Sequence, residues 1–159
     1  MEVHSTPKRK PIVVLASGVF DLIHYGHIRF LEEAKKCGGP NARLIVVVAR
    51  DSTVKKMKGK EPVIPEDQRR AIVEALKPVD IAVLGYEDFR IGDVVDKVKP
   101  DVIAVGYDQK AVEEAVKKEI SDRRDKIRVV EIGRFGPGDL NGSSKIRTKI
   151  VREWSGSSG

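Results

Sequence analysis

Two histidines with helical spacing are the clearest chemical signal in the sequence. His24 and His27 follow an apolar run, residues 12–16, and precede a segment with a narrow apolar stripe. Residues three apart lie on one face of a helix, so we expect the two imidazoles side by side at its first turn. The unpaired backbone N–H groups of a helix N-terminus attract anions, and imidazole N–H groups donate to phosphate oxygens. The pattern therefore predicts a phosphate-handling site.

Glycines flank this histidine turn at Gly18 and Gly26. Because glycine has no Cβ, each position allows either a positive φ that shapes the turn or a close approach of a ligand, and both interpretations stay open. Two common nucleotide motifs are missing. No Gly-x-Gly-x-x-Gly follows the first apolar run, and residues 138–145 carry Ser-Ser-Lys where a P-loop needs Gly-Lys-Ser. The sequence therefore argues against a dinucleotide-dependent oxidoreductase and a P-loop NTPase.

A metal site and a purely structural role are the alternative interpretations of the histidine turn. Asp21, His24 and His27 have side chains of the types that bind zinc. No fourth ligand is close in the sequence, and the helix-borne glutamate of zinc proteases is missing. Phosphate contact is therefore favoured, with metal ligation and plain surface histidines kept as alternatives.

Length and composition are those of one globular domain. The chain has 159 residues, of which 40% are hydrophobic and 34% charged, with a formal net charge of +6. No apolar run reaches the length of a membrane span and no secretory signal is recognised, so we expect a cytoplasmic protein. The positive charge suits nucleotides, but the charged surface of a heat-adapted protein explains it equally well. A single cysteine, Cys37, excludes an intramolecular disulfide.

Apolar runs alternate with helical patterns along the chain. Strands are predicted at 12–16, 43–49, 79–84, 101–105 and 127–132, and helices at 24–37, 65–76, 91–98, 109–120 and 143–154. This alternation predicts an α/β fold, a single Rossmann-like domain with a five-stranded parallel sheet and helices on both faces. The domain is expected over 11–154, between a flexible basic arm (1–10) and a low-complexity tail (155–159) typical of an expression remnant.

The suspected site segments all follow predicted strands. Besides the histidine turn they are the lysine-rich segment 50–65, Gly106–Asp108 and the glycine-rich segment 133–142. The segment 50–65 is longer than most strand-to-helix connections, which favours a functional loop. Ligands of open parallel sheets bind at the carboxyl ends of the strands, near the point where the strand order reverses. The four segments are therefore expected at one edge of the sheet.

Three stretches resemble the motifs of the nucleotidylyltransferase superfamily with paired His-x-Gly-His histidines. The first reads Gly18-Val19-Phe20-Asp21-Leu22-Ile23-His24-Tyr25-Gly26-His27. It has valine at position 19, where many members have threonine. The second, Ser143-Ser144-Lys145-Ile146-Arg147, resembles the motif that opens the last helix, and the third, Gly106-Tyr107-Asp108-Gln109, the segment after the fourth strand. The resemblance extends from about Pro11 to Trp154.

The resemblance implies a role for each matching residue. His24, His27 and a lysine of the 50–65 loop, for which Lys58 is chosen, would act on the reacting phosphates. Nucleotide contacts are implied for Gly18, Val19, Phe20, Asp21, Gly26, Gly106, Asp108, Ser143, Ser144 and Arg147. Lys55 and Arg69 are expected to bind the acceptor. Mg²⁺ or another divalent cation and a homodimer are also implied, and no protein ligand to a metal is assigned.

Within the superfamily, the chain is most similar to the archaeal-type FAD synthases. The similarity lies in the third motif, the start of the 50–65 loop and the Ser-Ser-Lys-Ile stretch. The implied reaction transfers AMP from ATP to FMN, giving FAD and pyrophosphate. Cytidylyl transfer from CTP to glycerol 3-phosphate or a related polyol phosphate is the alternative. A basic nucleotide- or RNA-binding module without turnover is a third reading, and the scarcity of aromatic residues, 5% of the chain, makes nucleic acid an unlikely partner.

Overall fold

Five strands and six helices make up the part of the chain that the structure describes. The computed structural model describes residues 9–88, 90–135, 138 and 141–156. The strands are β1 (Ile12–Gly18), β2 (Ala42–Val48), β3 (Ile81–Leu84), β4 (Val102–Gly106) and β5 (Arg128–Ile132). The helices are α1 (Tyr25–Lys36), α2 (Asp51–Lys58), α3 (Glu66–Glu74), α4 (Ile91–Val98), α5 (Lys110–Ser121) and α6 (Ser143–Trp154).

The sheet is parallel throughout, in the order β3-β2-β1-β4-β5. The strand order reverses between β1 and β4, which is the topological switch point where ligands of such sheets bind. Gly18 at the end of β1 is level with Val48 at the end of β2, and Gly106 at the end of β4 is level with Ile132. The segments that follow these strands therefore begin at one edge, as predicted.

Apolar side chains cover both faces of the sheet. On one face, buried residues of α1 and α3 such as Leu31 and Val73 pack against alternate residues of the strands. On the other, Val94 and Val95 of α4 and Val116 of α5 pack against the intervening residues. Burial on both faces explains why the strands read as unbroken apolar runs. The predicted α/β fold with helices on both faces is confirmed.

Helix α2 is a correction to the sequence-based prediction, which treated residues 50–65 as a loop. Its local signals are favourable: Asp51 lies in the first turn, lysines lie in the last turn, and Gly59 ends the helix with a φ of 72°. Acids at the N-terminus and bases at the C-terminus complement the helix dipole, and glycine adopts the left-handed conformation without strain. The helix has a single buried residue, Val54, so its apolar pattern is too weak to detect.

The predicted arm and tail fall largely outside the described residues, at 1–8 and 157–159. The domain boundaries at 11 and 154 therefore stay predictions. Within the described part of the chain, no helix has the length and apolar character needed to cross a membrane.

Candidate active site

The turn between β1 and α1 has an unusual backbone. Phe20 and Leu22 adopt positive φ angles of 53° and 48°, which cost energy in residues other than glycine. The Phe20 ring folds back over Gly18, where a Cβ would lie 2.9 Å from Cε2 of the ring. The buried ring packs at 5.4 Å, centroid to centroid, from the ring of His27. Gly18 is therefore required for the packing that orients His27.

The two histidines lie together at the start of α1, as their spacing predicts. Their rings stack with centroids 3.8 Å apart. The backbone N–H of His24, which is the N-cap residue, donates to Nδ1 of His27 at 3.4 Å. Because Nδ1 accepts this hydrogen bond, the proton of neutral His27 is on Nε2, which is then a donor. Nδ1 of His24 is buried and accepts no hydrogen bond within the described residues.

Both imidazoles are neutral at pH 7 in the unliganded protein. The pKa of His27 is lowered from 6.5 to about 4, chiefly by burial and then by the neighbouring His24 and the positive charge of Lys58, while Asp21 opposes them. Burial also lowers the pKa of His24. A neutral imidazole carries one N–H donor, and a bound triphosphate would raise both pKa values by stabilising the charged form.

The lowered pKa of His27 predicts a pH dependence of stability. The unfolded chain takes up the His27 proton near pH 6.5, whereas the folded protein does so near pH 4. The free energy of unfolding is therefore expected to fall as the pH drops from 6.5 to 4, by up to roughly 3 kcal/mol from this residue. Urea unfolding across this range measures the slope. His27→Gln should lose this part of the slope, and an unchanged slope would contradict the assignment.

Asp21 ties the histidine turn to two other segments. It is buried, and its carboxylate oxygens accept the backbone N–H groups of Val63 and Ile64 at 2.9 and 3.0 Å. Arg147 of α6 forms an ion pair with the same carboxylate at 3.7 Å. These contacts engage both oxygens with protein groups, so Asp21 connects the turn to the segment before α3 and to α6.

The start of α6 packs against the start of α1. Ser143 Oγ donates a hydrogen bond to the backbone oxygen of Asp21. A Cβ on Gly26 would lie 2.9 Å from the backbone oxygen of Asn141 and 3.0 Å from the His24 ring. In this structure Gly26 therefore permits the close approach of the two helix starts.

The start of α6 has backbone N–H groups that point away from the body of the helix. Ser143 and Ser144 are its first two helical residues, and the N-cap is Gly142. The backbone N–H groups of Lys145 and Ile146 bond to the Gly142 oxygen, whereas those of the two serines have no acceptor within the helix. These N–H groups and exposed Arg147, one turn later, have the chemistry to hold an anion next to the histidine pair.

The turn after β4 lies beside the end of β1. Gly106 donates its N–H to Oε1 of Gln109 at 3.1 Å, and Nε2 of Gln109 lies 3.4 Å from the backbone oxygen of Ser17. This amide places Gly106 and exposed Asp108 at the switch point. The sequence motif contains Gln109, but its role as a tie between two strand ends depends on the strand order.

The lysines of α2 differ in their contacts. Lys55 pairs with Glu61 at 3.0 Å and Lys56 with Asp88 at 3.8 Å. The side chain of Lys58 forms no hydrogen bond or ion pair with any residue that the structure describes, yet its charge lowers the pKa of His27. The charge of Lys58 thus acts on His27 and its ammonium is available to an anion, while Lys55 is engaged at the surface.

Arg69 does not fit the predicted role of acceptor contact. Its side chain has no exposed surface, and its guanidinium bonds to protein groups, including Asp51 at 2.6 Å. A ligand cannot reach it without displacing these partners.

Residues 139 and 140 of the glycine-rich segment lie outside the described residues. In the described part of the chain, no group of three or more His, Cys, Asp and Glu side chains is placed to hold a metal ion.

Comparison with known proteins identifies the family. The sequence profile described as "Cytidylyltransferase-like" matches residues 15–153. The chain belongs to the cytidylyltransferase-like family. This cytidylyltransferase-like chain is 51% identical over 138 residues to the FAD synthase of Aciduliprofundum boonei, covering 87% of this chain and 89% of that protein. It is 50% identical over 138 residues to the FAD synthase of Ferroglobus placidus, covering 87% of each.

A solved structure supports the fold of the cytidylyltransferase-like chain. It is described as a lipopolysaccharide core biosynthesis protein from Thermoplasma volcanium, with a TM-score of 0.71 and 43% identity. The match covers 79% of this chain and 98% of that one. The FAD synthase of the same organism is 44% identical to this chain over 140 residues.

Proposed function

We propose that this chain is an FAD synthase that transfers the adenylyl group of ATP to FMN and releases pyrophosphate. The observation that carries the proposal is that the starts of α1 and α6 are joined through Asp21 at the switch point of the sheet. Each helix start has backbone N–H groups suited to an anion. One site can hold the α-phosphate and the other the two phosphates that leave. The choice of FMN as the acceptor comes from the similarity to FAD synthases, at 50% and 51% identity, each matched over 87% of this chain.

The mechanism is a single displacement at the α-phosphorus. An oxygen of the FMN phosphate attacks the α-phosphorus and forms the new P–O bond. The bond from the α-phosphorus to the bridging oxygen breaks, and pyrophosphate leaves with that electron pair. No protein nucleophile is needed, because a phosphate oxygen is already ionised at neutral pH. Catalysis therefore rests on positioning and on stabilising the charge that develops.

The residues of the site divide this work between them. The N–H groups of neutral His24 and His27 donate to the α-phosphate, and Lys58 brings a positive charge to it. The N–H groups of Ser143 and Ser144, with Arg147, hold the leaving pyrophosphate. The ribose and base of the nucleotide are expected to extend toward Gly106 and Asp108.

A divalent cation enters as part of the substrate. Enzymes of this kind generally use one, and Mg²⁺ is commonly bound through substrate phosphates and water with few protein carboxylates. Mg²⁺ or another divalent ion neutralises phosphate charge when bound.

A grid of donors and acceptors tests the function. Pyrophosphate release is measured with ATP or CTP against FMN or glycerol 3-phosphate, and the products are identified by chromatography. We expect turnover of ATP with FMN and the appearance of FAD. Faster turnover of CTP with glycerol 3-phosphate would favour the cytidylyltransferase reading, which the name of the matching family makes the second candidate. No turnover in any combination would contradict the enzyme assignment.

We also propose that two copies associate through the exposed apolar residues in the second half of α6. None of its residues is buried, and Ile150, Val151 and Trp154 are 50%, 64% and 73% exposed on one side of the helix. The helix is anchored at its start through Ser143 and Arg147, which both contact Asp21. In an antiparallel pair of α6 helices, these apolar side chains would be covered by the same residues of the other copy.

Trp154 is the single tryptophan of the chain and reports on this interface. We expect sedimentation to give a dimer and tryptophan emission to shift to the red on dilution, because dissociation exposes the indole. Trp154→Ala should sediment as a monomer, whereas Lys149→Ala, on the opposite side of α6, should remain dimeric. A parent protein that is monomeric at all concentrations would contradict the proposal.

A further inference from the structure

Arg69 is a fully buried charged residue that the phosphate chemistry does not use. It is the bulkiest of the side chains with no exposed surface. Removing an ionised group from water is costly unless it is paired and fully hydrogen-bonded. The hydrogen bonds of its guanidinium must therefore offset the cost of burying the charge.

The guanidinium bonds to four groups on three separate segments. Nε donates to the backbone oxygen of Ile64 at 2.8 Å, and Nη1 donates to that of Val19 at 2.6 Å. Nη2 donates to the backbone oxygen of Ala49 at 2.8 Å and to Oδ1 of Asp51 at 2.6 Å. The histidine turn, the junction of β2 with α2, and the segment before α3 are thus joined at one side chain.

Two of these contacts lead directly to groups of the proposed active site. The oxygen of Val19 precedes Phe20, whose strained backbone places its ring against His27. Asp51 is the first residue of α2, the helix that ends at Lys58.

The backbone of Ile64 is hydrogen-bonded at both its N–H and its oxygen. Its oxygen accepts from Arg69, and its N–H donates to Asp21 at 3.0 Å. Arg69 and Asp21 therefore fix the same segment against the histidine turn.

We propose that Arg69 is a positioning residue, whose guanidinium sets the placement of His27 and of the Lys58 helix without contacting substrate. Only the predicted change in kcat rests on the proposed function. A guanidinium is a planar fork with five N–H donors, whereas a lysine ammonium has three donors at one point. Lysine at position 69 keeps the charge but cannot reach the four acceptors at once, so the placement of His27 becomes less well defined.

The test compares three variants of the full chain. Arg69→Lys is expected to lower kcat about a hundredfold, the scale of a small misplacement of catalytic groups, with the KM for ATP within about threefold of the parent. Asp51→Asn removes the opposing charge but keeps an acceptor oxygen, so it should lose thermal stability while lowering kcat by much less than Arg69→Lys. Arg70→Lys is the matched control, since Arg70 pairs with Glu74 at the surface.

A substrate-free measurement separates this inference from the proposed function. Imidazole NMR titration of His27 should give a pKa nearer its ordinary value in Arg69→Lys, because the ring is then less buried by Phe20, and an unchanged value in Asp51→Asn. This readout is obtained even if the parent makes no FAD.

A second variant covers the case in which Arg69→Lys does not fold. Arg69→Gln combined with Asp51→Asn removes both charges together and leaves no buried unpaired charge. It should show the same change at His27 and in kcat. A folded Arg69 variant with parental kcat and parental His27 titration would overturn the proposal. A fall in kcat that is proportional to the loss of thermal stability in every variant would also overturn the proposal.

Discussion

Replacing His27 by alanine is expected to lower kcat for FAD formation by roughly a hundred- to a thousandfold, the usual cost of removing one preorganised donor to a developing anion. His27 is oriented by the Phe20 ring and by the N–H of His24, so its Nε2–H is already aligned when substrate binds. The interaction strengthens in the transition state, and the KM for ATP should therefore change much less than kcat. Steady-state kinetics with FMN as acceptor measures both.

His27→Gln is the matched control for this prediction. Glutamine keeps an N–H donor of similar reach, so it should retain more activity than alanine. Thermal unfolding of both variants would establish that the fold is intact. An alanine variant with near-parental kcat would show that His27 does not stabilise the reacting phosphate.

Replacing Lys58 by methionine is expected to lower kcat about a hundredfold, because it removes a positive charge that stabilises the reacting phosphates. Among the lysines at positions 55, 56 and 58, Lys58 is the one whose charge acts on His27. Methionine keeps the length and apolar stem of the side chain, so helix α2 should be unaffected. Steady-state kinetics and the pKa of His27, which should rise toward its ordinary value, measure the two consequences.

Lys56→Met is the comparison variant. Lys56 lies on the same helix but pairs with Asp88 at the surface. Its replacement should leave kcat within about twofold of the parent, the usual effect of an exposed charge away from the site. Equal losses in the two variants would indicate that total positive charge matters and that the place of Lys58 does not.

The parallel sheet could be predicted from the sequence because burial on both faces imposes unbroken apolar runs. The place of His24 and His27 followed from the same logic, since a strand, a short turn and a helix fix where the turn must lie. Their protonation could not be predicted. It depends on burial under Phe20 and on the nearby Lys58, and both arise only when the chain is folded.

The two neighbouring arginines of α3 illustrate what sequence cannot decide. Arg69 and Arg70 have the same side chain and adjacent positions, yet one is fully buried and the other pairs with Glu74. Only the packing of α3 against the histidine turn determines which of them points inward. The same applies to Ser143, which the motif marks as a phosphate ligand but whose hydroxyl bonds to the backbone of Asp21.

The stereochemistry of adenylyl transfer tests the central claim most directly. The purified protein is incubated with FMN, a divalent cation and ATP made chiral at the α-phosphorus, and the configuration of the FAD product is determined by phosphorus NMR. A single in-line displacement by the FMN phosphate predicts FAD with inverted configuration. Retention would require two displacements through a protein-bound adenylate and would contradict the account, as would the absence of FAD.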